Sequence, residues 1–158
     1  ISTVVLLVNP TRDYVHKIIK TLQPSFLQFH GDDTPKFCNQ FDYPYIKAIR
    51  VSPHLNIERA IEHFNPKGGF LFDTWHPKKY GGTGGTFDWD VLPNELKAPK
   101  ILAGGLTSTN VGQAIKIARP DVVDVSGGVE SLKGIKDERL IANFVDSVGS
   151  ADMKIDKK

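Results

Sequence analysis

Cysteine is almost absent from these 158 residues: Cys38 is the only one. A lone thiol excludes an internal disulfide and a multi-cysteine metal site, and it fits a reducing, cytoplasmic setting. Charge of one sign is also scarce. The net charge is only +2 and no basic run interleaves with aromatics, so nucleic acid is not an expected partner. No apolar run approaches the roughly 18 residues of a membrane span, and nothing at the start has the pattern of a signal peptide. A membrane is therefore not expected either. His54, His63 and His76 fall on separate loops or helix faces without metal-ligand spacing, so no metal site is read.

What is present is ordinary globular material, 40% hydrophobic and 24% charged, enough for one core. We assign residues 1–149 to a single domain and 150–158 to a frayed polar tail. Short apolar runs alternate with amphipathic stretches throughout. Val4–Val8 reads as a fully buried strand, followed by a helix with Tyr14 or Val15, Ile18, Ile19 and Leu22 inward. Phe26–Phe29 precedes a short helix over Thr34–Cys38. Tyr45–Val51 precedes a helix beginning at Asn56 with Ile57, Ala60, Ile61 and Phe64 on one face. Phe70–Phe72 is followed by a short helix begun by Asp88 or Asp90. Ile101–Ala103 leads to a helix carrying Val111, Ala114, Ile115 and Ala118. Val122–Val125 leads to a last helix from Asp137, with Gly149 onward frayed.

Strict alternation of strand and helix implies a parallel sheet with helical crossovers. The candidates are a doubly wound open sheet and a (β/α)8 barrel, and both gather function at the C-terminal strand ends. An open sheet concentrates its phosphate loop after the first strand, where Asn9-Pro10-Thr11 is no such loop. The barrel places it after the last two strands, where Gly104-Gly105 and Ser126-Gly127-Gly128 stand. The α/β barrel is the expected fold. Six units do not close eight strands, so about two units, or roughly 50 residues, are expected in front.

Glycines let backbone N–H groups approach an oxyanion, and a helix start adds partial positive charge. Gly104, Gly105, Ser126, Gly127 and Gly128 are thus a candidate phosphate cradle. Asp73 ends a buried apolar run where a loop with four glycines in five residues, Gly81–Gly85, is about to begin. It either carries chemistry or caps a turn or pairs with Lys78 or Lys79. Asp124 follows Val122 by two residues and shares its side of the strand, where it is either a structural ion pair with an arginine or a substrate-orienting carboxylate. His30, directly after a strand, is a proton donor or a turn residue. Cys38 is a small packed side chain.

Five blocks, taken together and in order, resemble the phosphoribosylanthranilate isomerase family. They are Leu27–Gly31; Phe72-Asp73-Thr74; Gly81–Gly84 with Phe87-Asp88-Trp89; Leu102–Leu106 with Asn110-Val111; and Asp124–Glu130 with Lys136-Asp137. The resemblance spans nearly the whole chain. It implies a (β/α)8 enzyme of tryptophan biosynthesis, working without cofactor or metal on a phosphorylated small molecule, N-(5-phosphoribosyl)anthranilate. An Amadori rearrangement turns that aminoaldose into 1-(2-carboxyphenylamino)-1-deoxyribulose 5-phosphate. By the same resemblance Asp73 is the general acid that protonates the furanose ring oxygen, before a general base removes the C2 proton. His30 and Asp124 fall on substrate-pocket positions, Asp124 near the anthranilate end. Gly82, Thr83 and Gly84 fall on the loop lining the substrate, and the five cradle residues fall on the phosphate site.

Two departures accompany the resemblance. Gly127 stands where the family usually has a second serine. The family's basic cysteine, at the end of its first strand, and its anthranilate-binding arginine, after its second, have no counterpart in these residues. Cys38 sits in the wrong unit to take the cysteine's place. The alternatives are another phosphate-binding barrel of the histidine or tryptophan pathway, and an inactive barrel fragment that keeps its phosphate site. Fusion to another tryptophan-pathway domain is compatible with either.

Overall fold

A computed structural model describes residues 1–77 and 84–155. Six short strands form one parallel sheet: β1 Val4–Leu7, β2 Phe26–Phe29, β3 Tyr45–Val51, β4 Gly69–Thr74, β5 Lys100–Leu102 and β6 Val122–Val123. They lie side by side in chain order, β1-β2-β3-β4-β5-β6. A doubly wound sheet reverses direction partway. This one never does, which is the winding of a barrel wall.

Alternation along the strands separates an inner face from a helix face. Leu7, Leu27, Phe29 and Tyr45 point outward under helices α1 (Arg12–Leu22) and α2 (Pro35–Asn39), and pack with Val15 and Cys38. Ile49, Val51, Phe70, Phe72 and Leu102 do the same under α3 (Ile57–Ile61), α4 (Val111–Ala118) and α5 (Glu138–Ile155). The inner face carries the smaller cluster Ile46, Ala48, Leu71, Ile101 and Ala103. Burying Phe29, Phe72 or Leu102 completely contributes about 1.5–3 kcal/mol each. Polar residues take the inner face only near the C-terminal strand ends.

The helices start where their capping side chains stand. Thr11, Thr34 and Asn56 each accept a hydrogen bond from a backbone N–H in the first turn that follows. Asp137 does the same for α5, accepting from Arg139 and Leu140 N–H groups.

Five expectations need correction. Leu22, expected inward, is 56% exposed at the last position of α1, beyond the sheet that covers Val15. The first strand is not buried on both faces: Val4 is 45% and Leu6 55% exposed, because β1 is an edge and its inner face has no packed neighbour on one side. The sixth strand pairs only through Val122 and Val123, so Asp124 stands one residue beyond it, although its N–H still bonds to Leu102 O. Phe64 is past the end of α3, after His63 in a left-handed conformation, yet it still packs on the core. Residues 150–155 are not frayed, since α5 continues to Ile155, and the rest of the expected tail, 156–158, lies outside the described residues. Ala151 is buried there, and its methyl group faces Gly112 of α4. A two-stranded hairpin, β7 Glu130–Leu132 and β8 Ile135–Lys136, was not foreseen at all.

Candidate active site at the C-terminal strand ends

Gln28 and His30 share the inner face of β2, two residues apart. The His30 ring is buried, with its Nε2 3.1 Å from Asp73 Oδ2 and its Nδ1 3.1 Å from Gln28 Nε2. Asp73, at the end of β4, is 5% exposed. Its other oxygen, Oδ1, accepts the Thr74 N–H at 2.7 Å. So His30 is no turn residue, and among the described residues the side chain paired with Asp73 is a histidine. Lys78 and Lys79, the lysines considered for that pairing, lie outside the described residues.

Three loops then interlock over the strand ends, each through a glycine. A methyl group on Gly105 would lie 2.4 Å from Gly85 O, and one on Gly128 would lie 1.8 Å from Leu106 O. A methyl on Gly104 would strike Thr74 and Asp73. Gly104 and Gly105 both have positive φ, +85° and +61°, which other residues resist. Asn110, just before α4, holds this turn: its amide donates to Gly105 O at 3.0 Å and its oxygen accepts Thr107 N–H at 2.8 Å. The Thr74 hydroxyl pins the β4 loop by donating to Gly85 O at 2.7 Å.

The result is a cavity of about 590 Å³, within the range of small-molecule sites. Its walls include Gln28, His30, Asp73, Gly84, Asp124 and the two glycine loops, Gly104–Gly105 and Ser126–Gly128. All the expected site residues that are described meet here; Gly82 and Thr83 lie outside the described residues. The backbone N–H groups of Gly104, Gly105, Gly127 and Gly128 make no hydrogen bond to another described residue, so donors are available for an anion.

Asp124 has no arginine partner among the described residues and stands on the cavity wall. The residue is exposed at the cavity mouth, but the protein around its carboxyl removes part of its water, and this desolvation pushes the carboxyl up, with the Asp73 charge adding to it. His30 and Lys136 pull the other way. Lys136 reaches this region from the hairpin, donating to Ser126 O at 2.8 Å, to its hydroxyl at 3.2 Å and to Glu130 at 2.8 Å.

Among the described residues no group of three or more His, Cys, Asp or Glu side chains could hold a metal ion. No described helix is long and apolar enough to cross a membrane. Cys38 is in the helix-side core, and burial pushes its thiol up to about 12. It is a packed side chain, as expected.

Sequence reasoning passed over Gln28 and Lys136 as site residues. Gln28 carried a usable sign, since it precedes His30 by two positions in a strand and therefore faces the same way. Lys136 had none, because its place depends on the hairpin.

A parallel, sequentially wound α/β sheet with a buried carboxylate and two glycine loops around a cavity at its C-terminal end defines an α/β enzyme of the barrel class. The family model for N-(5'phosphoribosyl)anthranilate (PRA) isomerase matches residues 1–147, and the chain belongs to that family. It is 46% identical over 145 residues to N-(5'-phosphoribosyl)anthranilate isomerase of Neisseria meningitidis, covering 92% of this chain and 70% of that one. Its fold superposes on the phosphoribosyl anthranilate isomerase of Thermotoga maritima with a TM-score of 0.80 at 32% identity, covering 95% of this chain and 74% of the other. A solved complex of the enzyme with reduced 1-(o-carboxyphenylamino)-1-deoxyribulose 5-phosphate matches with a TM-score of 0.77 at 30% identity, covering 95% and 72%. The family is one of isomerases in tryptophan biosynthesis, and the barrel expectation agrees with the superposition.

Proposed function

We propose that Asp73 is the general acid of the family's Amadori rearrangement, acting on N-(5-phosphoribosyl)anthranilate held between the two glycine loops and Asp124. The observation that carries this reading is convergence: the one buried carboxylate at a strand end among the described residues and two glycine loops open into a single cavity. The substrate's phosphate takes the N–H groups of Gly104, Gly105, Gly127 and Gly128 and the hydroxyl of Ser126. The sugar ring oxygen then lies toward Asp73, which donates its proton as the C1–O bond opens and an iminium forms. Asp124 and His30 line the pocket, Asp124 toward the anthranilate end, and Gly82, Thr83 and Gly84 belong to the loop assigned to the substrate.

An inactive remnant is not favoured, because the chain matches isomerases of this family over almost all its length. No described residue takes the part of the base. Cys38, buried in the helix-side core, does not face the cavity. The reading needs neither cofactor nor metal. It sets the protein in the cytoplasm with a phosphorylated small molecule as its partner, apart from nucleic acid and membrane. Fusion to another tryptophan-pathway domain is compatible with it.

The test is Asp73→Asn in the full natural polypeptide, assayed by consumption of N-(5-phosphoribosyl)anthranilate. Loss of a general acid lowers kcat by about 10²–10⁴-fold with KM little changed. A variant that keeps wild-type kcat would sink the assignment.

A further inference from the structure

The proton on a general acid is useful only if it points at the substrate, and the neighbours of Asp73 decide where it points. A carboxyl group has two oxygens and about four lone-pair positions. One position on Oδ1 is taken by the Thr74 N–H at 2.7 Å. One on Oδ2 faces His30 Nε2 at 3.1 Å. What happens on that second contact depends on the tautomer of the histidine.

If Nε2 carries the ring proton, His30 donates to Oδ2. The acid proton of Asp73 must then sit on a remaining lone pair, away from Thr74 and His30. If Nε2 is bare, Asp73 donates its own proton to the ring, and that proton is directed into the wall of the barrel. A neutral imidazole has one donor nitrogen and one acceptor nitrogen, so whatever occupies Nδ1 selects between these cases. Gln28 Nε2, an N–H donor, lies 3.1 Å from Nδ1, and its residue is 8% exposed. A donor against Nδ1 makes that nitrogen the acceptor and sends the ring proton to Nε2.

We propose that Gln28 is a positioning residue: its amide holds His30 as the neutral Nε2–H tautomer, which keeps the Asp73 proton free for the substrate. The device also serves the step that follows. Once Asp73 has given its proton to the ring oxygen, the new carboxylate still accepts hydrogen bonds from both Thr74 N–H and His30 Nε2–H, with no group having to move. His30 itself gains and loses no proton. The proposal rests on Asp73 being the acid.

Among the described residues the titratable groups around His30 are Asp73 from β4 and Asp124 beyond β6, with Lys136 acting on Asp124 from the hairpin. The direct readout is the ring nitrogens of His30 by ¹⁵N NMR in the full natural polypeptide, at neutral pH. The expected result is a neutral ring protonated at Nε2; a ring protonated at Nδ1 in the native protein would overturn the proposal. Gln28→Glu replaces the donor by an acceptor. It should move a proton to Nδ1, lower kcat at least tenfold with KM within about twofold, and alter the pH profile of kcat. Gln28→Met, which only removes the donor, should give a mixture of tautomers and a smaller loss.

Asp73→Asn is run beside them. Full activity in that variant would overturn both the acid and the proposal built on it. An inactive Asp73→Asn, together with Gln28→Glu whose ring signals and pH profile match wild type, would overturn the role of Gln28 alone.

Discussion

Lys136 stands on an exposed hairpin, yet its ammonium donates to both the carbonyl (2.8 Å) and the hydroxyl (3.2 Å) of Ser126, at the edge of the second glycine loop. No described lysine or arginine is in the cavity wall, Lys136 included, while the Asp124 carboxyl is. A phosphorylated, carboxylated substrate entering such a site meets unfavourable charge unless a cation offsets it. Glu130 keeps the lysine in place: the hydrogen bond from Lys136, and then the Gly134 N–H, hold its carboxyl below the usual range.

Lys136→Met should therefore weaken binding more than turnover. Losing charge-assisted hydrogen bonds to the phosphate loop corresponds to about 1.5–3 kcal/mol, or roughly a 10- to 150-fold rise in KM, with kcat within a few fold. Inorganic phosphate should lose inhibitory strength in parallel, and the salt dependence of KM should flatten. Lys136→Arg should restore most of the affinity. A wild-type KM in the methionine variant would show that the loop does not need the cation.

Gly104 marks the point where the acid and the phosphate loop touch. A methyl group there would lie 2.4 Å from the Thr74 hydroxyl, 2.6 Å from its nitrogen and 2.9 Å from Asp73 Oδ1, at a φ of +85°. Gly104→Ala must move Thr74, which holds both Asp73 and the Gly85 carbonyl. The left-handed backbone alone costs about 1–3 kcal/mol. Denaturant unfolding should show that loss, and kcat should fall at least tenfold because the acid is displaced. A variant with native kcat would mean that the contact is slack.

Gly127 is the opposite case. Nothing lies within 4 Å of a side chain built there, and its φ is not positive. Gly127→Ser restores the residue the family usually carries, without strain and beside the proposed phosphate. A hydroxyl hydrogen bond to the phosphate, made against competing water at this exposed position, is worth about 0.5–1.5 kcal/mol, so KM should fall by roughly 2- to 10-fold with stability unchanged. A higher KM would show that the phosphate does not lie against this segment.

Much of this arrangement was legible because it follows from periodicity. Val111, Ala114, Ile115 and Ala118 were chosen by helical spacing, and all four are buried. Helix starts were expected at Thr34 and Asn56, and both residues cap the helices that follow. The positions of Asp73, His30, Asp124 and the glycine pairs at strand ends followed from the alternation of units. What could not be read was set by neighbours distant in the chain. Leu6 looks like any buried aliphatic residue until the sheet makes β1 an edge. Helix α5 outlasts Gly149 because Ala151 finds Gly112 on α4. The hairpin pairs only five residues, too few for an alternation pattern, and its one local sign was Gly134 in a left-handed turn.

Lys47 makes a prediction about pH. It is 4% exposed on the helix side of β3, where its ammonium donates to Gly31 O at 2.7 Å, one residue after His30. Burial pulls its pKa below the ordinary lysine value, outweighing the pull of Cys38, Asp33 and Asp32 in the other direction. Asp33 shows the same imbalance, since burial pushes its carboxyl up despite Lys47, and its Oδ2 has no hydrogen-bond partner. Both members of the pair are thus held against the cost of desolvation. Between the depressed folded pKa and the unfolded value of about 10.4, the unfolded chain binds more protons at this site than the folded one. Stability from Lys47 therefore rises with pH across that window, opposite to the behaviour of a lysine that gains a strong partner. Urea unfolding of wild type and Lys47→Met, compared at pH 7 and at about pH 10, should show wild type gaining on the variant at the higher pH. A difference that is flat or shrinks would mean that the ammonium is fully compensated where it lies, and that the strand end bearing His30 is held without stored cost.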